Sequence, residues 1–129
     1  MKLLYLLILL VFPARTVLSD DPAEKIASLF KNGDAESLAA MLDQSVRLTI
    51  LGEENVYFKG QAQAVIEKFF KTHKPSAAKV LHRVETNPEL HFAVISLQAE
   101  GDQFRVSVQM RAEQSAYLIT EISIEKGRD

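Results

Sequence analysis

From Ala77 onward the chain is written almost wholly in a period of two. Four runs of strand length follow one another: AKVLHRVET (78–86), LHFAVISLQAE (90–100), QFRVSVQMRAE (103–113) and AYLITEISIE (116–125). Only NPE, GD and QS separate them, each rich in turn formers. A parallel crossover needs about a dozen residues, so these connections demand antiparallel neighbours and a meander. The third run alternates cleanly. Phe104, Val106, Val108 and Met110 lie on one face, with Gln103, Arg105, Ser107, Gln109 and Arg111 on the other. The second run is apolar on both faces, which fits a central strand or one covered on both sides.

The amino-terminal half has a different period. In DDPAEKIASLFKNGD, Asp21 can cap a helix, Pro22 suits its first position and Glu24 completes a capping box. Ile26, Leu29 and Phe30 share one helical face, and Gly33 reads as a left-handed stop. Asp34 then caps a second short helix with Leu38, Met41 and Leu42 as its stripe. SVRLTIL switches to alternation, with Val46, Leu48 and Ile50 on one side and Arg47 and Thr49 on the other. GEEN reads as a turn and VYF as a short strand that Gly60 breaks. QAQAVIEKFFKTH reads as a helix burying Ala62, Val65, Ile66, Phe69 and Phe70. Pro75 ends it and leaves Lys74 extended. These helices cannot bury their stripes alone, and a curved sheet offers one apolar face. The expected fold is therefore α+β: a curved antiparallel sheet wrapped around a long helix, with two short N-terminal helices.

Ahead of this lies MKLLYLLILLVFPARTVLS. Lys2, the apolar run from Leu3 to Phe12 and the small Ser19 are the parts of a secretory signal peptide. The run is too short for the roughly 20 residues of a membrane span. Residues 1–19 are expected to be removed, leaving one domain over 20–126 and a short frayed tail at 127–129. The product would be exported, periplasmic or secreted, and soluble, with no stable membrane insertion. Loss of Lys2 and Arg15 reduces 15 basic residues to 13 against 17 acidic ones, a formal charge of −4. Such a balance gives no electrostatic reason to bind nucleic acid. With no cysteine, there is neither a disulfide nor a thiol nucleophile, so the domain must be stable on packing alone.

The element order resembles the nuclear transport factor 2-like, or cystatin-like, fold. In detail, "IASLFKNGDAESLAAML", "VRLTI", "VYFKGQAQAVIEKFFKTHKP", "AKVLHRV" and the hairpin "FRVSVQMR…YLITEISIE" resemble a narrower group of small exported bacterial proteins, the domain of unknown function 4783. The likeness spans most of residues 22–126. Its motifs are structural, so it implies a fold and no assigned chemistry. It also implies a homodimer through the outer sheet face, where Arg83, Glu85, Arg105, Gln109 and Tyr117 are expected.

Some related folds isomerise or dehydrate small hydrophobic molecules in the sheet hollow, using a carboxylate or histidine base with hydrogen-bond donors opposite. The candidates for such chemistry here are Tyr57, His73, His82, His91, Tyr117 and Glu121. A structural role is the first reading of His82, because no partner lies near it in sequence. Tyr57 reads as a packing residue with its hydroxyl at the rim. Glu121 is expected beside Tyr117 and Ser123 on the outer face, in a cross-strand ion pair. The three histidines lack ligand spacing, so no metal or other cofactor is implied. Val65, Phe69 and Phe70, with Phe104 and Val106 opposite, could wall a hydrophobic pocket or simply fill the core. The expectation is a non-enzymatic domain binding a small hydrophobic ligand or an envelope protein. The alternative is a cavity enzyme using His82, Tyr57 or Glu121.

Overall fold

The computed structural model describes residues 22–114 and 116–127. The elements run α1 (Pro22–Asn32), α2 (Ala35–Ala40), β1 (Leu42–Ile50), β2 (Glu53–Phe58), α3 (Lys59–Thr72), β3 (Pro75–Asn87), β4 (Leu90–Ala99), β5 (Asp102–Glu113) and β6 (Ala116–Lys126). The expected signal peptide and the Asp21 cap lie outside the described residues.

Local chemistry sets the helix ends. Gly33 sits at φ 64°, where a side chain is disfavoured. There its N–H donates to Phe30 O at 3.1 Å, and Asp34 N–H donates to Leu29 O at 2.9 Å. These bonds close α1. Asp34 then caps α2, its Oδ1 accepting from Ser37 N–H at 3.0 Å. That bond from the Ser37 backbone holds the Asp34 carboxyl below its ordinary range. Leu42 leaves the expected α2 stripe and opens β1 instead. The β1–β2 turn is Leu51–Gly52, so β2 begins earlier than expected. Gly60 does not break the chain but lies in the first turn of α3. Gln61 Oε1 accepts from Phe58 N–H at 3.1 Å, satisfying a donor at the helix start.

All six strands form one sheet in the order β2-β1-β6-β5-β4-β3. The last four strands are the antiparallel meander expected from their connections. The β1–β2 hairpin joins it through a parallel pairing of β1 with β6. The chain then crosses from one edge of the sheet to the other through α3. The helices share one sheet face: α1 packs on β3 and β4, while α3 packs on β1, β2 and α2. Phe69 meets Phe104 edge-on at 5.4 Å, and Phe30 meets Phe70 at 5.7 Å. The core they occupy runs through Ile26, Leu38, Leu48, Ile66, Ile95, Val106, Ile119 and Ile122, all buried.

Extra residues interrupt the alternation of β3 and β6. Ser76, Leu81 and Thr86 are each skipped in the β3–β4 register, and Thr120 in the β5–β6 register. Each such bulge bends its strand and exchanges the faces of the residues beyond it. On the outer face, Arg111 donates to Asp43 Oδ2 at 2.8 Å and to Glu113 Oε1 at 2.6 Å. It thereby links β5 to β1 across β6. The bond from Arg111 is the main reason that the Asp43 carboxyl is held below its ordinary range. Gly127, the first residue of the expected tail, donates its N–H to Gln103 O at 2.8 Å.

Two outcomes are expected. Phe104→Ala should destabilise the domain by about 3–5 kcal/mol, the usual effect of emptying a buried phenylalanine site, measured by urea unfolding. A loss below about 1 kcal/mol would show that the ring does not carry the helix–sheet contact. The depressed Asp43 carboxyl contributes stability above the ordinary carboxylate pKa of about 4, and that contribution disappears as pH falls through its lower folded value. Asp43→Asn should therefore lower stability at neutral pH and flatten the acid limb of the stability curve. Parallel curves for the two proteins would contradict the assignment.

Candidate functional site

The side chains singled out in the sequence are distributed over both faces of the sheet. His82 follows the Leu81 bulge, pairs with Val94 and is exposed on the outer face. Glu121 is half-buried on that same face, opposite Arg47 and Gln109. It forms no ion pair among the described residues; Arg105 lies opposite Glu125 instead. Tyr57 is half-buried on the helix-bearing face and packs against the core. The sheet thus separates Tyr57 from His82 and Glu121, and the three do not converge on one point.

The bulges also redistribute the expected outer-face set. Arg105 and Gln109 do lie there. Arg83 and Glu85, beyond the Leu81 bulge, pair with the inward residues Ala93 and His91 and so face α1. Arg83 donates to Glu24 of α1 at 2.7 Å. Tyr117 precedes the Thr120 bulge, so it faces inward while Glu121 faces outward. Its hydroxyl is 2.9 Å from His91 Nε2. Glu85 Oε2 lies 3.7 Å from the other ring nitrogen of His91, whose side chain is only 14% exposed. This carboxylate–imidazole–phenol row could orient a proton, but the space beside it is about 10 Å³, room for about one water and not for a substrate. Its arrangement serves packing at the α1 end of the sheet.

The five residues expected to wall an apolar pocket also divide. Val106 is fully buried in the core, and Phe104 is closed over by Phe69. Phe70 turns toward Phe30 and Gly33. Val65 and Phe69 instead line a groove of about 370 Å³ between α3 and the β1–β2 hairpin. Ile50, Leu51, Glu53 and Tyr57 come from the hairpin; Lys68, Thr72 and His73 complete the helical side. Its apolar floor and sparse polar rim are the usual features of a ligand site.

His73 has a distinct place here. It ends α3, its N–H donating to Phe69 O at 2.8 Å. The imidazole stacks on the Phe69 ring at 4.7 Å and meets Phe104 edge-on at 5.2 Å. Its Nδ1 is buried without a hydrogen-bond partner among the described residues, and the ring is a flat surface closing the groove floor. The sequence placed His73 at a helix end but gave no sign of this aromatic stack. Leu51 was also missed, because it reads as the last residue of the SVRLTIL run rather than as part of a turn: it adopts φ 50° and stays 46% exposed beside the groove. Among the described residues no group of acids and histidines could hold a metal ion, and no helix is long and apolar enough to cross a membrane.

The chain belongs to the domain of unknown function 4783 (DUF4783) family, whose model matches residues 23–125. It is similar to the crystal structure of a DUF4783 protein from Bacteroides uniformis, with 28% identity, a TM-score of 0.78, and coverage of 84% of this chain and 100% of that one. A DUF4783 protein from Bacteroides ovatus gives 28% identity and a TM-score of 0.76, covering 81% and 94% of the two chains. The fold alone extends to an NTF2-like protein from Cytophaga hutchinsonii, at 13% identity and a TM-score of 0.61, covering 81% and 91%. No curated protein matches the chain.

Proposed function

We propose that this member of the DUF4783 family is an exported, non-enzymatic domain that binds an apolar ligand group in the groove between α3 and the β1–β2 hairpin. One observation carries the reading. Val65, Phe69, Tyr57, Ile50 and Leu51 meet around about 370 Å³ of open space, whereas the acid–base candidates His82 and Glu121 lie across the sheet from it. A cavity enzyme would need a base and a donor directed at the same bound atom. The groove offers apolar surface, the Tyr57 phenol, the His73 ring stacked on Phe69 and a rim carrying Glu53, Lys68 and Thr72, groups suited to orienting a ligand on an apolar floor.

Export is supported by the leader chemistry of Lys2, the Leu3–Phe12 run and Ser19. In a Gram-negative host the periplasmic fraction should yield a protein whose intact mass begins near Asp20. Recovery with Met1 still attached would refute processing.

The groove is tested with the fluorescent probe 1-anilinonaphthalene-8-sulfonate on the folded protein. Its emission should rise to saturation at one site. Val65→Asp, a change at a half-buried position, should weaken the site about tenfold, or about 1.4 kcal/mol. Probe binding that never saturates, or that is indifferent to Val65→Asp in a protein of unchanged melting temperature, would remove this reading.

A further inference from the structure

The two edges of the sheet are built differently. β3 begins at Pro75, carries three register shifts and is packed against α1. Such features blunt a strand edge against further pairing. β2 has none of these register breaks. Its six residues pair with β1 in unbroken register, include no proline or lysine, and end the strand order. Val56 and Phe58 stand on its outer face, 62% and 70% exposed.

The hairpin fixes which backbone groups point outward. Ile50 and Glu53 lie opposite each other, joined by Leu51 and Gly52 at φ 50° and 93°. Two positive φ values mark a type I′ loop, whose flanking residues exchange both backbone bonds. Alternation along an antiparallel ladder then turns Glu54, Val56 and Phe58 away from β1. Two observed bonds agree. Leu51 N–H donates to Ile124 O in β6 at 2.8 Å, on the side of β1 away from β2. Phe58 N–H leaves the ladder to reach Gln61. The N–H and C=O groups of Glu54 and Val56 therefore line the free edge, with no backbone partner among the described residues.

The groove lies beside this edge: Glu53 and Tyr57 of β2 form part of its wall. A strand added to β2 would direct alternate side chains to the face that Tyr57 occupies, alongside α3. We propose that β2 accepts an extended segment of a partner protein as a seventh strand, with an apolar side chain of that segment seated in the groove. This rests on the reading of the groove as a binding site. Backbone bonds to Glu54 and Val56 would hold the segment, and the groove would select it. The lining gives the partner's chemistry. One groove-facing residue is apolar, to meet Leu51, Val65 and Phe69. A second, two positions away, is basic, because Glu53 is the charge that β2 itself brings to the groove, it has no ion pair among the described residues, not even with Lys68 on the helical side, and the chain without its leader carries excess acid. The segment is free of proline, which would remove a donor needed at the edge.

The probe is a fluorescein-labelled peptide, Thr-Lys-Thr-Val-Thr-Phe-Thr, titrated against the protein lacking residues 1–19. Fluorescence anisotropy should show saturable binding, and the amides of Glu54 and Val56 should gain protection from hydrogen exchange. N-methylation of one alternate set of peptide amides should weaken binding at least tenfold; methylation of the other set should change it less than twofold. Val56→Pro removes an edge donor while leaving the β1 pairing intact, and it should also weaken binding at least tenfold. Equal sensitivity to both methylated sets would overturn strand addition. So would a protein that binds the naphthalene probe but not the peptide, an outcome that spares the groove. If neither binds, the groove reading fails and this inference fails with it. A dimer that forms through β2 and is lost in Val56→Pro would assign the edge to a second copy and overturn the proposal.

Discussion

The structure depends on how single inserted residues bend the sheet. Six strands held flat could not bury the apolar stripes of three helices on one side. Leu81 in β3 and Thr120 in β6 each add a residue without a partner, and the extra length on one strand makes the pair curve. The hollow this creates receives Phe30 and Ile26 from α1 and Phe69 and Ile66 from α3. The same insertion moves every later side chain to the opposite face. Curvature and the assignment of faces are thus one property of this chain. That is why Arg83 reaches Glu24 on α1 and Tyr117 reaches His91, although simple alternation would send both outward.

This linkage explains what could be read from the sequence. Features set by a few neighbouring residues were legible: the Gly33 stop, the Asp34 cap, the α3 stripe and the meander demanded by GD and QS. The regular alternation of β5 survives intact, so Phe104, Val106, Val108 and Met110 could all be placed inward. The bulges could not be located, because Leu81 and Thr120 look like ordinary strand residues. The parallel pairing of β1 with β6 is also invisible locally, since it joins segments some seventy residues apart (Leu48 with Ile122). The groove suffers from both limits. Its helical half, Val65 and Phe69, followed from periodicity, whereas Ile50, Leu51 and Glu53 depend on how the hairpin docks.

Phe69 links core and groove. Its ring packs against Phe104, Phe70 and the His73 imidazole, and His73 in turn meets Phe104. The interior is therefore filled just beneath the groove floor. A ligand there would rest on a surface already held by aromatic packing, with little core rearrangement required. Such preorganisation lowers the ordering penalty of binding. The exposed apolar side chains of the hairpin gain nothing from the core by comparison. Leu51, Val56 and Phe58 remain accessible although a small domain has limited apolar residues to spend.

The position of that exposed set follows from the crossover. After β2 the chain must travel the full width of the sheet to reach β3, and α3 performs this passage. Because α3 starts directly at Phe58, its first turn is tied to the end of β2, while its later turns move inward over β1 toward Phe104. The helix therefore diverges from the edge strand, and the wedge between them is the groove. A regular β2 is needed for this geometry: a bulge there would rotate Tyr57 out of the wall and close the angle against α3. The regular edge and the groove beside it are consequences of the same connection, which is the physical reason to read them as parts of one binding surface.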